Sequence, residues 1–252
     1  MGHYAIEISY DGGAFNGWQA QPGGGSVQDA IESAIALLGE DARVTGAGRT
    51  DTGVHARAQV ASLSLARNWE PRRLKLAINA GLPQSVSVTR TAAVSEGFNA
   101  RRHALTREYR YFIWNSSTCY PHIRPYVLWL PGRQYDWGRA ASAARLLVGD
   151  HDFRAFCRKG DCPEVALRTV KLAKLTKRGN LVIFRVVAES YLTNMIRIAV
   201  GNLLRVACGS RDESWLRGLL DGAFDRTASA GTASAAGLFL WRVEYGEAIR
   251  WE

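Results

Sequence analysis

Thr45-Gly46-Ala47-Gly48-Arg49-Thr50-Asp51-Thr52-Gly53-Val54-His55-Ala56-Arg57-Ala58 is the stretch from which the rest of the chain is best read. Three glycines in eight residues describe a backbone that turns sharply or lets another molecule come close. Arg49 and Asp51 lie two apart, a spacing that places both side chains on one side of an extended segment. Asp51 is the only acidic residue between Asp41 and Glu70, and it stands among Arg43, Arg49 and Arg57. An arginine nearby keeps a carboxylate ionised even when it is shielded from water, and such a carboxylate can act as a nucleophile. Taken alone, the Arg-x-Asp pair reads more readily as a salt bridge bracing a glycine-rich turn than as a catalytic group.

Working outward from this loop, residues 43–47 read as a short strand entering it and residues 59–65 as a strand leaving it. Before it, Tyr4, Ile6, Ile8 and Tyr10 alternate as a strand that stops at Asp11-Gly12-Gly13. Phe15-Asn16-Gly17-Trp18-Gln19 follows, then Pro22-Gly23-Gly24-Gly25, read as a mobile loop or plain linker. Ser26 with Asp29 has the form of a capping box, and Val27, Ala30, Ile31, Ala34, Ile35 and Leu38 keep helical spacing up to Gly39. After the loop come a helix over 71–80 and a strand at Val86, Val88 and Arg90. The second half opens with a strand over 106–114 bearing apolar residues on both faces. Residues 119–132, with three prolines, read as irregular. A helix over 136–148, with Trp137, Ala140, Ala141, Ala144 and Leu147 inward, is followed by a hairpin of strands 170–177 and 181–188 around Arg178-Gly179-Asn180. A helix runs from near Asn194 to Ala207, and a last strand covers 238–245.

The run Gly48-Arg49-Thr50-Asp51-x-Gly53-Val54-His55-Ala56 resembles the signature of the tRNA pseudouridine synthases of the TruA type. Other stretches resemble that family too. They are Tyr10-Asp11-Gly12 with Gly17-Trp18-Gln19 and Ser26-Val27-Gln28, and Asn79-Ala80-Gly81-Leu82-Pro83. Later come Arg107-Glu108-Tyr109-Arg110-Tyr111, His151-Asp152-Phe153-Arg154-Ala155-Phe156 and Tyr191-Leu192-Thr193-Asn194-Met195-Ile196-Arg197, then Asp225-Arg226-Thr227 through Gly237-Leu238-Phe239-Leu240. Two positions depart from the family: Asn99 stands for a histidine, and Asn194 for a histidine or glutamine.

The resemblance implies an α+β fold. Two ferredoxin-like (β-α-β-β-α-β) halves, residues 1–103 and 104–252, would form one large central sheet flanked by helices, with the active cleft between the halves. It implies an isomerase that turns uridine into pseudouridine in the anticodon stem-loop of tRNA, at positions 38, 39 and 40. Asp51 would be the catalytic residue, attacking C1′ or C6 of the uridine or assisting departure of the base. Tyr109 would pack against the uracil, Leu240 would close its pocket, and Arg197 would pair with the aspartate. Arg49 would hold the aspartate or bind RNA phosphate. The family analogy also implies a homodimer, and the reaction needs neither cofactor nor metal.

Bulk properties agree with that direction. The net charge of 32 − 23 = +9 favours a polyanion, and 27 of the 32 basic residues are arginine, suited to phosphate and to base stacking. An Arg-biased genome would give the same count. No apolar run reaches membrane-span length, and the N-terminus enters a strand pattern directly. A cytoplasmic protein with no signal peptide and no membrane is therefore expected. Cys119, Cys157, Cys162 and Cys208 form no C-x-x-C pair, and the five histidines do not cluster at metal-ligand spacing. A glycosidase would need a second acid, and the Asp51 loop offers no obvious partner. A purely RNA-binding protein would have no use for Arg49, Asp51, Tyr109 and Arg197 together.

Overall fold

Ser26 starts the first helix as its spacing predicts. Its hydroxyl accepts from the Asp29 N–H at 3.1 Å, and the Asp29 carboxylate accepts from the Ser26 N–H at 3.0 Å. In the computed structural model, which describes residues 1–251, the elements run β1 (Gly2–Tyr10), α1 (Val27–Ala36), β2 (Thr45–Gly46), β3 (His55–Leu65), α2 (Pro71–Ala80) and β4 (Val86–Ala93). They continue as β5 (Thr106–Asn115), β6 (Leu128–Leu130), α3 (Trp137–Arg145), β7 (Gly149–Asp152), β8 (Leu167–Arg178) and β9 (Leu181–Ala188). The last are α4 (Met195–Ala207), α5 (Glu213–Leu220) and β10 (Leu238–Glu244). The chain forms two compact units, residues 1–107 with the segment from Phe239 onward, and residues 108–238.

The first unit has strand order β4-β1-β3-β10, with β1 antiparallel to both β3 and β4. β2 and β10 divide the remaining edge of β3. β2 is antiparallel to it at Ala61 and Ser62, whereas β10 runs parallel to it at His55 and Ala56. The loop between β2 and β3 therefore leaves and re-enters the sheet on one edge. β1, α1, β2, β3, α2 and β4 in this order make the β-α-β-β-α-β unit expected. α1 and α2 pack on each other, and α2 lies on β4. Ile6, Ile8, Ile31, Ile35, Leu74 and Ile78 are fully buried, each contributing about 1.5–3 kcal/mol of burial energy.

One buried acid braces this unit. The Glu40 carboxylate accepts from the Ala66 N–H at 2.8 Å, from Arg67 Nε at 2.9 Å and from the Trp69 indole at 3.1 Å. Burial pushes this carboxyl up, but the hydrogen bonds outweigh it and bring its pKa down from 4.5 to about 2. A depressed carboxylate contributes stability that is full above its unfolded value and is lost as pH falls through its folded one. The wild type should therefore lose stability between pH 4.5 and about 2 more steeply than Glu40→Gln, as denaturant melts across that range will show. Parallel slopes would exclude Glu40 as a contributor.

In the second unit the order is β5-β9-β8-β7, with the short β6 parallel on β5. Arg178 pairs with Leu181, so β8 and β9 form the expected hairpin over Gly179 and Asn180. α3 packs on β8 and on α4. Phe153, Phe156, Phe184, Leu216 and Leu219 fill the core.

Several local readings are corrected. The entering strand is only Thr45–Gly46, because Ala42 and Val44 are buried outside any ladder. Residues 119–132 hold a 3-10 turn at Arg124–Tyr126 and the strand β6. A proline at the start of a 3-10 turn costs no hydrogen bond, so the prolines did not preclude order there. On α3 it is Ala143, not Ala141, that is buried. α5, capped by Asp212, has Leu216, Leu219 and Leu220 inward; eight residues gave too short a pattern to read.

Candidate active site

The candidate residues fall into two sets, one in each unit. Asp51 and Arg49 sit in the loop after β2, and nearly every part of that loop is held from below. The Ala47 N–H donates to Val60 O at 2.7 Å, and Gln59 Nε2 donates to Gly48 O at 2.8 Å. The Trp18 N–H donates to Thr50 O at 3.0 Å, and the Thr50 and Tyr10 hydroxyls are 2.8 Å apart. The Val54 N–H closes the turn on Asp51 O at 3.0 Å. Burial pushes the Tyr10 hydroxyl well above the phenol range, so it stays protonated and bonded to Thr50.

The segment Asp11–Trp18 is the cradle of this loop. A Cβ on Gly12 would lie 2.0 Å from Val54 O, and one on Gly17, which has φ +83°, would lie 2.8 Å from Thr50 O. Only glycine permits that approach. The Gly12 N–H also donates to His55 Nδ1 at 3.0 Å, and the His55 ring stacks on Phe239 at 4.6 Å.

Arg107 supplies the remaining anchor. Its Nε and one terminal nitrogen both donate to Ala47 O, at 3.1 and 2.8 Å, and that same nitrogen donates to Arg101 O at 2.7 Å. The other terminal nitrogen reaches Ala104 O at 3.3 Å. The result is a stiff loop carrying a half-buried carboxylate at Asp51. The chain bends at Ala47-Gly48 and turns at Thr52-Gly53, with Arg49, Thr50 and Asp51 between the two. Arg49 is exposed and forms no ion pair or side-chain hydrogen bond among the described residues. Its guanidinium is available to a ligand. Leu240, next to Ala56 on β10, has no exposed surface and packs in the core of this unit.

Tyr109 and Arg197 belong to the second unit. Tyr109 is buried on β5, edge-on to Tyr191 with ring centroids 5.1 Å apart. Arg197, in the first turn of α4, is held on two sides. Its Nε donates to Ala233 O at 2.8 Å, and a terminal nitrogen donates to Asn194 Oδ1 at 2.9 Å. The Ala233 N–H returns a bond to Arg197 O at 3.2 Å. Asn202, fully buried, fixes the same segment by accepting from the Ala230 N–H at 2.7 Å. Burial raises the Tyr111 hydroxyl while the Arg197 charge lowers it; the net shift is upward, and the hydroxyl donates to Ser234 O at 2.7 Å.

A family profile described as tRNA pseudouridine synthase matches residues 6–101 and 143–246. The chain belongs to that family. It is 36% identical over 249 residues to tRNA pseudouridine synthase A of Francisella tularensis subsp. tularensis, covering 98% of this chain and 95% of the relative. It is 39% identical over 256 residues to the protein of the same name from Agrobacterium fabrum, covering 99% and 94%.

Within this pseudouridine synthase, the groups that fasten the Asp51 loop are the ones the sequence marks least. Tyr10, Trp18, Gln59 and Arg107 carry no sign of their role beyond lying in or near matching motifs. Asn194 departs from the family pattern. The structure gives it two tasks. It adopts the left-handed region at φ 63°, ψ 4°, and its carboxamide oxygen holds Arg197. Asparagine tolerates that backbone better than most residues. Asn194→Gly should keep stability within about 0.5 kcal/mol and lose the Arg197 contact, whereas Asn194→Ala should lose that contact and a further ~1 kcal/mol. Thermal melts of the pair, with turnover measured beside them, separate the two tasks. Equal stability of both variants would remove the backbone argument.

Among the described residues no group of three or more His, Cys, Asp or Glu side chains is placed to hold a metal ion, and no helix is long and apolar enough to cross a membrane.

Proposed function

We propose that this chain isomerises uridine to pseudouridine in the anticodon stem-loop of tRNA. Asp51 is the catalytic residue, and Arg49, Tyr109, Arg197 and Leu240 serve the same target nucleotide. The reaction breaks the N1–C1′ bond, turns the freed uracil, joins C5 to C1′ and releases the C5 proton while N1 takes one up. Asp51 opens the glycosidic bond, Tyr109 offers a ring to an extruded base, and Arg197 is the counter-charge for the carboxylate. Arg49, exposed beside Asp51, takes RNA phosphate. Leu240, beside Ala56 at the start of β3, closes the pocket around the uracil.

One observation supports this reading above the others. A glycine-rich loop is fastened at Ala47, Gly48 and Thr50 by groups from four separate places in the chain, and it presents a half-buried carboxylate. Such preorganisation fits a site that must aim one acid at one atom. Tritium release from tRNA carrying 5-tritiated uridine tests the reaction, because only isomerisation frees that label from C5. Retention of label at high enzyme concentration, with RNA bound, would favour a binding protein instead. The same reading makes the enzyme a cytoplasmic homodimer, each chain organised as halves 1–103 and 104–252 except that β10 joins the sheet of the first unit. Sedimentation gives the stoichiometry.

A further inference from the structure

A polar concavity of about 410 Å³ lies in the second unit, and none of the residues assigned above lines it. It is walled by Ser116, Ser117, Arg133, Gln134, Tyr135 and Lys177, at the end of β5, in the segment between β6 and α3, and late in β8. No carboxylate lines it.

Its rim is held by buried or half-buried side chains. The Asn115 carboxamide donates to Leu130 O and Arg133 O, both at 3.2 Å, and accepts from the Trp137 indole at 3.0 Å. The Trp129 indole donates to Ser116 O at 2.9 Å. These bonds fix the backbone and leave the cationic groups unused. Arg133 and Lys177 have neither an ion pair nor a side-chain hydrogen bond among the described residues, although the Arg133 guanidinium lies 5.8 Å from the Tyr135 ring centre. The carboxylate of neighbouring Asp136 is committed to capping α3 through the Arg139 N–H at 3.0 Å. Two unneutralised cations, one beside an aromatic ring, with hydroxyls and an amide around them, match a phosphodiester and its attached nucleoside.

We propose that this concavity is a second contact for the RNA substrate, taking one backbone phosphate between Arg133 and Lys177, with the adjoining nucleotide against Tyr135 and Gln134. It rests on the assignment of tRNA as substrate. The site adds binding rather than chemistry, so its effect falls on KM and not on kcat.

The test is the double variant Arg133→Glu/Lys177→Glu. Both residues are exposed, so the fold should survive, and a matched melt checks it. Filter binding to tRNA across a salt series is expected to show affinity about tenfold weaker and a salt slope shallower by about two. KM should rise to match, with kcat kept. Unchanged affinity and unchanged slope would overturn the proposal. So would tight binding of uridine monophosphate that the double variant abolishes without any effect on tRNA, since that outcome makes the concavity a site for a free nucleotide. Filter binding needs no turnover, so loss of the catalytic assignment and loss of this contact are read separately.

Discussion

Asp51→Ala is expected to fold, to bind tRNA with near-normal affinity and to form no pseudouridine. The loss should be on the order of 10⁴-fold or more, as when the central group of a catalytic set is removed. The reason lies in how the loop is held. Its fastenings use the carbonyls of Ala47, Gly48 and Thr50, the Thr50 hydroxyl and the Asp51 backbone, while the Asp51 carboxylate stays half-buried at the surface. Cutting the side chain back to Cβ leaves those main-chain bonds in place. Single-turnover tritium release at saturating enzyme, with circular dichroism and filter binding alongside, separates chemistry from folding and from affinity. Measurable turnover in a clean Asp51→Ala preparation would remove Asp51 from the chemistry.

Arg107→Ala should be the second most damaging change, and by another route. Arg107 is a positioning residue, only 9% exposed, and its guanidinium holds the carbonyls of Ala47, Arg101 and Ala104. Its loss leaves carbonyls without their donor, a cost of about 2–4 kcal/mol in stability. It also frees the loop entrance, and a misplacement of about 1 Å at a reacting group costs on the order of 10²-fold in rate. Arg107→Lys restores the charge but not the fork that grips Ala47 O twice. If the role is positional, kcat for Arg107→Lys should stay well below wild type even where its melting temperature recovers. A lysine variant whose turnover recovers in step with its stability would reduce Arg107 to a structural brace.

Much of this was legible in the residues because short-range rules agreed with one another. Ser26 and Asp29 announced the start of α1, Gly179-Asn180 announced the turn between β8 and β9, and alternation gave β1 and β9 almost whole. The turn around Asp51 was legible from its glycines, whereas the role proposed for its carboxylate came from the likeness of residues 48–56 to a family signature. What stayed hidden is what only long-range packing decides. Nothing near Gly12 says that it must lie against Val54 O, and nothing near Arg107 says that it reaches Ala47. The role of Asn194 was hidden because a single left-handed residue leaves no periodic trace. α5 was hidden because two turns of helix carry too little pattern.

The parallel ladder between β10 and β3 has a bearing on synthesis as well as on structure. Phe239 and Leu240 sit beside His55 and Ala56, so the edge of the first unit that bears the aspartate loop is sealed by a strand made after all of residues 108–238. Domains usually fold in the order in which they leave the ribosome. Here a nascent chain must wait for its final strand before the loop around Asp51 has its complete frame, and an unfinished product would engage tRNA, if at all, with that frame ajar.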